Sequence, residues 1–405
     1  MQQTHSKMTP QKILLGITGG IAAYKAAELV RLLVKANIEV SVVMTEAACQ
    51  FITPLTLQAL SGKPVYTTMW DSSIANGMPH IELSRNQDAI LIAPASADFL
   101  AKLVQGRADD LLSTLCLARD CPLLVAPAMN KQMWENPATQ RNITQLKLDK
   151  VTILGPDNGV QACGETGLGR MLEADDLLAA ITTHFTPKLL AGKHIMITAG
   201  ATLEMIDPVR AITNLSSGKM GYAIAQIAHD MGAIVTLIGG STSLKAPTSV
   251  THISALNANN MYQAVMQNIA TQDIFISTAA VADYSPSETS IQKIKKVDAH
   301  LTIALKRNKD ILADVASLPN APFCIGFAAE TENLLEYASQ KRQVKKIPLM
   351  IANDVVSTLG SDQATVTLID DTGIYPPFTG HKVEVAKYIL QHLASVLTHP
   401  IKGQA

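Results

Sequence analysis

The sequence predicts an α/β protein of two doubly wound, Rossmann-like domains, each with a mainly parallel sheet flanked by helices. Three observations carry that expectation. Apolar runs of strand length alternate with segments of helical period along almost the whole chain, the mark of β-α-β units whose sheet is covered on both faces. A strand-then-glycine entry occurs twice, as KILLGITGG (Lys12–Gly20) and as KHIMITAG (Lys193–Gly200). The chain has 405 residues, 47% of them hydrophobic, enough for two separate cores, whereas one open sheet of more than about ten strands is unusual.

In the first half the expected strands are Ile13–Thr18, Val40–Thr45, Ala89–Ala93, Leu123–Ala126 and Val151–Leu154. Helical period fits Ile21–Lys35, with Ala22, Leu29, Leu32 and Leu33 on one face, and Asp175–Phe185. TPKLLAGK, after Phe185, is a short connection without periodicity, so the domains are expected at 1–190 and 191–405. The pattern then restarts at KHIMITAG and continues with strands Ile234–Ile238, Ile274–Thr278, Cys324–Phe327, Leu349–Ala352 and Thr365–Ile369, and an amphipathic helix over Val383–Leu397.

With 33 basic against 34 acidic residues and a formal net charge of -1, no global field favours nucleic acid or an anionic membrane. Any phosphate binding must be local, and small molecules are the expected ligands. MQQTHSKMTPQK precedes the first apolar run, and later apolar stretches are broken well short of the ~20 residues that a span needs. The chain therefore reads as soluble and cytoplasmic, with neither a membrane nor a nucleic-acid partner. Its five cysteines, Cys49, Cys116, Cys121, Cys163 and Cys324, form no C-x-x-C pair, and their odd number argues against a disulfide framework. Four sit among apolar residues and read as inert buried thiols. Cys163 instead lies among glycines in GVQACGETGLGR (Gly159–Arg170). Such a stretch can cradle a phosphate, carry a metal ligand or form a lid. The ten histidines show no zinc spacing.

GITGGIAAYK places Gly19 and Gly20 at the first strand-to-helix turn, where backbone N–H groups and the helix dipole can hold a phosphate. It is not the full G-x-G-x-x-G fingerprint, and a tight turn alone also accounts for the glycines. LIAPASAD (Leu91–Asp98) and LLVAPAMN (Leu123–Asn130) both carry A-P-A where the expected strand ends. Ligands of open parallel sheets bind beyond the carboxyl ends of the strands, so Ser96 and Asn130 should face the same crevice as Gly19. Asn130 also suits a helix N-cap, and the two roles are compatible.

GGIAAYK, the isolated His80 in MPHIEL, PASAD, PAMNKQMW and the ACG around Cys163, in this order and spacing, resemble the flavin-dependent cysteine decarboxylase family. From about Lys12 to beyond Val383 the chain is similar to a bifunctional coenzyme A biosynthesis family, in which a phosphopantothenoylcysteine decarboxylase is joined to a phosphopantothenate–cysteine ligase. The resemblance implies FMN, contacted by Gly19, Gly20, Thr45 and Ser96. It implies that Asn130 binds the substrate carboxylate, that His80 stands beside the reacting centre and that Cys163 is a proton donor. The chemistry is sound: a cysteine-derived carboxylate cannot leave as carbon dioxide without an electron sink. Oxidation of the C–S carbon by flavin lets sulfur take the charge as an enethiolate, which is then protonated and reduced to 4'-phosphopantetheine. An ordinary thiol, of pKa ~8.5, is mostly protonated at neutral pH and suits a donor. Phosphate sites are accounted for elsewhere and metal partners are lacking, so the stretch around Cys163 is expected to be a mobile flap, with Gly159, Gly164, Gly167 and Gly169 letting it close.

In the second half, ITAGATLEMIDPVRAITNLSSGKMG (Ile197–Gly221) is a long insertion between a strand and the helix starting near Gly218. SSGKMG lacks the P-loop pattern, which disfavours a P-loop ATPase or kinase. A cap from Ser216 or Ser217 would explain the turn, but Asp207, Arg210, Asn214 and Lys219 form a more polar set than capping requires. The loop is expected to meet an anionic ligand. AAVADY (Ala279–Tyr284), KIKK (Lys293–Lys296), KRQVKK (Lys341–Lys346) and IGFAAET (Ile325–Thr331) resemble the ligase half of the same family, although a basic run can equally be a solvated face, a reading kept for Lys346.

The resemblance implies that 4'-phosphopantothenate is activated with CTP and Mg2+, and that the amine of L-cysteine then displaces CMP. Lysine and a divalent cation would neutralise the triphosphate during attack. Magnesium keeps mostly phosphate and water ligands, consistent with the lack of a metal motif, and its protein ligands stay unassigned. Lys293 is implied on the reacting phosphate, and Asn214 with Arg210 on the acyl-cytidylate. Around CTP the resemblance places Ser277, Thr278, Ala279, Asp283, Lys309, Asp310, Ile311, Leu312, Phe327, Lys341 and Lys345. GATLEM carries Ala201 and Met205 where the family has proline. A homo-oligomer, specifically a dodecamer, is implied as well. One rival, a non-catalytic flavin-binding regulatory protein, would be expected to lack the Asn or the Cys, yet Asn130 and Cys163 are both present. Another, a nicotinamide oxidoreductase, should show the glycine fingerprint.

Overall fold

In the computed structural model of the protein, residues 10–70, 78–247, 250–295, 300–330, 332–354 and 361–398 are described. Lys296 and Thr331, the last residues of KIKK and IGFAAET, lie outside them. The chain divides into two compact units, one ending at Thr186 and the other starting at Pro187.

The first unit is built on six parallel strands: β1 (Lys12–Ile17), β2 (Glu39–Met44), β3 (Val65–Tyr66), β4 (Ala89–Ala95), β5 (Leu123–Pro127) and β6 (Thr152–Ile153), in the order β3-β2-β1-β4-β5-β6. The winding reverses between β1 and β4, so a crevice opens at their carboxyl ends. β4 is buried at every position, as a parallel strand between two helical layers must be. Alternation along β1 serves both layers. Ile13 and Leu15 pack with Leu29 and Leu33 of α1 (Ala23–Lys35) and with Leu177 and Ile181 near the sheet's end. Leu14 faces Phe99, Leu112 and Ile143 on the other side.

Further helices are α2 (Pro54–Ser61), α3 (Pro79–Ser84), α4 (Ala97–Gln105), α5 (Leu111–Ala118), α6 (Lys131–Glu135), α7 (Pro137–Leu148) and α8 (Ala174–Phe185). The sequence reading found only α1 and α8. All of the others but α7 are short, and three of the starts are marked by caps more than by period: Ser96 caps α4, Asp110 makes a capping box with Ser113 on α5, and Asn136 caps α7. The buried Lys25 of α1 donates to Glu173 Oε1 at 2.7 Å and to Met171 O at 3.0 Å, fixing the entry to α8. Lys25 first, and Arg170 after it, hold the Glu173 carboxyl below the usual carboxylate range. An antiparallel hairpin, β7 (Asp157–Val160) with β8 (Thr166–Arg170), stands apart from the sheet.

The second unit carries β9 (His194–Ala199), β10 (Leu203–Met205), β11 (Ala211–Thr213), β12 (Ile234–Gly239), β13 (Thr251–Ser254), β14 (Ile274–Ser277), β15 (Tyr284–Pro286), β16 (Leu305–Arg307), β17 (Phe323–Glu330), β18 (Leu349–Asp354), β19 (Gln363–Asp370), β20 (Gly373–Ile374) and β21 (Phe378–His381). Its main sheet runs β13-β12-β9-β14-β17-β18-β19-β20, with β21 also on β19. From β13 to β18 the pairing is parallel, while β19 runs antiparallel to β18. Periodicity located β19 but carries no information on strand direction, so this antiparallel edge is a structural finding.

One side of the sheet is covered by α10 (Ala258–Asn268), α11 (Ile311–Ala316) and α12 (Leu334–Lys345), through Met261, Val265, Val315 and Ala338 against Phe275, Cys324 and Met350. Helices α9 (Lys219–Asp230) and α13 (Lys382–Thr398) pack along each other. The insertion after β9 folds as the ribbon β10–β11, and β15–β16 forms a second ribbon.

Candidate functional site

The first unit assembles polar groups at the carboxyl ends of neighbouring strands. Between β1 and α1, a side chain on Gly19 would sit 2.6 Å from the Ala47 methyl, whereas one on Gly20 would meet nothing within 4 Å. The turn is thus packed on one side and open on the other, at a helix start where a phosphate group fits. The buried Thr18 hydroxyl donates to Pro94 O at 2.7 Å and accepts from Ser96 N at 2.9 Å, locking the ends of β1 and β4 together. Ser96 Oγ accepts from Phe99 N at 3.2 Å, and Thr45 Oγ1, beyond β2, accepts from Ala48 N at 3.2 Å. Gly19, Gly20, Thr45 and Ser96 therefore lie at the ends of three adjacent strands, an arrangement that fits a flavin phosphate and ribityl chain.

Asn130 follows β5 and caps α6: its Oδ1 accepts from Met133 N at 2.9 Å, while Nδ2 donates to Gln132 Oε1 at 2.9 Å. The stretch around Cys163, expected as a mobile flap, has regular structure of its own. It is the β7–β8 hairpin, closed at its tip by Gln161 N to Glu165 O at 2.7 Å and Gly164 N to Gln161 O at 2.9 Å. Gly164 takes a φ of 85° there. Three bonds clasp the hairpin to the Asn130 segment: Met129 N to Gly169 O at 2.9 Å, Lys131 N to Gln161 Oε1 at 2.9 Å, and Gln132 Nε2 to Glu165 Oε1 at 3.0 Å. A Cβ on Gly169 would come within 2.8 Å of Gln161 Nε2 and closer still to Met129 O. Gly169 thus serves close approach, and its φ of 138° is one that residues with a side chain rarely adopt. Glycine-rich runs have low strand propensity, which hid the hairpin from the sequence reading.

Cys163 sits exposed at the hairpin tip, its Sγ 3.6 Å from Glu165 Oε2. His80 is the second residue of α3 and half-buried. The structure thus joins Asn130 to Cys163 through the clasped hairpin, while His80 comes from a separate element. The other cysteines differ from Cys163. Burial pushes the Cys116 and Cys324 thiols up to about 12 and also raises those of Cys49 and Cys121, which are only half-buried.

In the second unit, one cavity of about 750 Å³ gathers most of the expected residues. Asn214, Ser277, Thr278, Ala279, Asp283, Lys309, Asp310, Ile311, Leu312, Phe327 and Lys345 all line it. Gly218, with a φ of 76°, turns the chain into α9. Asn214 Nδ2 donates to Ala280 O at 3.2 Å and Val281 O at 3.3 Å, tying the SSGKMG entry to AAVADY. Lys345 Nζ meets Asp310 Oδ2 at 2.8 Å. Burial works against the Asp310 charge, but Lys345 and the Ala313 N–H outweigh it and hold that carboxyl below its usual range. Lys309 Nζ lies 4.3 Å from the centre of the Tyr262 ring.

Arg210, Lys293 and Lys341 lie outside the lining. Arg210 is committed to the fully buried Asp207, at 3.0 Å from Nε and 2.5 Å from Nη2, and also donates to Ile294 O at 3.1 Å. The guanidinium first, joined by the N–H groups of Val209, Ile294 and Arg210, holds the Asp207 carboxyl far below the usual range against the effect of burial. The same bonds seat the KIKK segment at Ile294, with Lys293 exposed beside it. Lys341 precedes Lys345 by about one turn on α12. Ala201 donates its N–H to Ser241 O at 3.3 Å, a bond that a proline could not make.

The sequence reading did not assign Arg307, Asn353 or Lys382, which also line the cavity together with Lys219, a residue it had placed in a loop expected to meet an anionic ligand. Asn353 Oδ1 is buried with no hydrogen-bond donor among the described residues. Its position near the end of β18 was a usable signal, since the strand-end rule that singled out Asn130 applies to it equally.

Residues 1–186 match the flavoprotein family, and residues 190–397 match the family described as the DNA/pantothenate metabolism flavoprotein C-terminal domain. The coenzyme A biosynthesis bifunctional protein of Vibrio vulnificus is 48% identical over 395 residues, covering 96% of this chain and 98% of the relative. That of Escherichia coli is 49% identical over 350 residues, covering 85% and 86%. The crystal structure of the C-terminal domain of a coenzyme A biosynthesis bifunctional protein is 40% identical, with a TM-score of 0.45, and covers 52% of this chain and 98% of that one.

Proposed function

The chain belongs to the family of bifunctional coenzyme A biosynthesis proteins, a flavoprotein decarboxylase unit joined to a ligase unit, and from that premise we propose which groups carry each reaction. In the first unit FMN is held by Gly19, Gly20, Thr45 and Ser96. When bound, it supplies reversible two-electron oxidation at the C–S carbon of the substrate. Asn130 donates from Nδ2 to the substrate carboxylate, its orientation fixed because Oδ1 already accepts from Met133 N. His80 stands beside the reacting centre. Cys163 gives its thiol proton to the enethiolate left after carbon dioxide departs. The clasp that joins the Asn130 segment to the Cys163 hairpin supports this reading most directly. The presence of both Asn130 and Cys163 favours an enzyme over a non-catalytic flavin-binding regulatory protein.

In the second unit the substrates are 4'-phosphopantothenate, CTP and L-cysteine. A cavity of about 750 Å³ is of the size that binding sites for such ligands take. Lys293 acts on the reacting phosphate, and Asn214 with Arg210 on the acyl-cytidylate. The orphan acceptor on Asn353 fits an exocyclic amine of the base. Mg2+ would be held mainly by phosphate oxygens, with Asp283 at the wall offering a hard oxygen donor. Exposed Ile21 and Tyr24, just after the flavin turn, with exposed Phe51 and Trp70 elsewhere in the same unit, support a homo-oligomer, for which the resemblance gives a dodecamer. No helix among the described residues is long and apolar enough to cross a membrane, in keeping with a cytoplasmic enzyme. The test incubates 4'-phosphopantothenate, cysteine, CTP and magnesium with the yellow, FMN-loaded protein and seeks 4'-phosphopantetheine by mass. A protein that takes up no FMN sinks the decarboxylase reading, and absence of both the cysteine adduct and 4'-phosphopantetheine sinks the ligase reading.

A further inference from the structure

Lys219 and Lys382 are the first residues of α9 and α13, which pack along each other, and both lysines line the cavity. Two helix N-termini therefore open on one wall, each led by an ammonium group, and their dipoles reinforce the two charges. Lys382 is only 8% exposed. Its Nζ donates to Ser361 O at 2.6 Å, while Lys219 Nζ meets Asp362 Oδ1 at 2.6 Å. Burial, with Lys219 nearby, draws the Lys382 ammonium below the usual lysine range, and Asp362 opposes this. Lys219, with Lys382 and His381 adding, holds the Asp362 carboxyl down. The remaining charged neighbour on this turn, Glu384, accepts from His381 N at 2.9 Å. Lys219 thus engages the one carboxylate at this turn, and Lys382, bonded to the neighbouring Ser361 carbonyl, lies close enough to feel its charge. The Asp362 side chain is 74% exposed, free to leave when a better anion arrives, whereas Lys382 is held in the wall.

We propose that Lys382, together with Lys219, binds the terminal phosphates of the nucleoside triphosphate, with Asp362 as the internal anion that they displace. The inference rests on the CTP reading of the cavity and assigns a clasp for the pyrophosphate end, opposite in charge to the leaving group that it retains until transfer is complete. It is tested by calorimetric titration of the intact chain with CTP and with CMP, each with and without Mg2+.

Lys382→Met should weaken CTP binding roughly tenfold or more, the worth of a charged hydrogen bond, and change CMP binding by less than about twofold. Lys382→Arg should recover part of the loss. Asp362→Asn should tighten CTP and leave CMP alone, an opposite sign that a merely structural role would not give. Equal losses of CTP and CMP in Lys382→Met overturn the proposal. So does looser CTP binding by Asp362→Asn only when Mg2+ is present, which would make Asp362 a metal ligand. Should Lys382→Met fail to fold, the sign of the exposed Asp362→Asn change decides. A wild type that binds neither nucleotide defeats the CTP reading itself. A wild type that binds CTP, with Lys382→Met binding it equally well, defeats this inference alone.

Discussion

The two units share a winding rule and hold their sites differently. In the first, neutral amides, hydroxyls and a thiol stand at the ends of β1, β2, β4 and β5, and hydrogen bonds between side chain and backbone fix them. In the second, Lys219, Lys309, Lys345, Lys382 and Arg307 surround one cavity. The chemistry explains the contrast. Placing a carboxylate and delivering one proton needs direction, which amides and a clasped hairpin provide. Spreading the charge of a triphosphate needs cations, and charge-assisted bonds are roughly twice as strong as neutral ones.

The contrast breaks first at Cys163. Cys163→Ser should still release carbon dioxide but stall at the oxidised enethiol, with the final reduction slowed by about 10³-fold, within the span expected for a general acid. Trapping the product by mass checks this, and full reduction at wild-type rate removes Cys163 from the mechanism. A smaller effect is expected from Gln161→Ala, which deletes the bonds to Lys131 N and Leu168 O at 2.9 and 3.2 Å. Reduction should fall by about tenfold for some 1–2 kcal/mol of lost positioning, while ligation by the other unit stays at its wild-type rate. An equal drop in both activities would mean that the hairpin supports the fold and not the site.

The smallest effect concerns the ligase loop. Asp207 titrates far below an unfolded carboxyl of pKa ~3.9, so the unfolded chain binds more protons as the solution acidifies. Its contribution to stability is whole at neutral pH and is lost as pH falls below about 4. Melting curves of wild type and Asp207→Asn should therefore differ most near neutrality and converge in acid. A gap that widens in acid contradicts the assignment.

Much of this was legible beforehand because strand periodicity and strand-end chemistry are local. Gly19, Ser96 and Asn130 follow directly from where a buried apolar run stops. The remainder depends on pairings distant in sequence. Lys382 directly follows the short strand β21 and gains meaning only when α13 comes to lie beside α9. The hairpin around Cys163 is stabilised by a segment some thirty residues earlier, and its glycines gave no strand signal. Short helices such as α5 are written in their caps, and the antiparallel β19 has a direction that no residue type records.

The hairpin register has one more consequence. Because Gly159 pairs with Gly167 and Val160 with Thr166, the tip holds a fixed number of residues between two clamped strands. Inserting or deleting one residue there would turn the thiol to the opposite face, although the large core of the unit would scarcely register the change. The loop should therefore accept new side chains while resisting any change of length, so that spacing, more than composition, is what descent must preserve around Cys163.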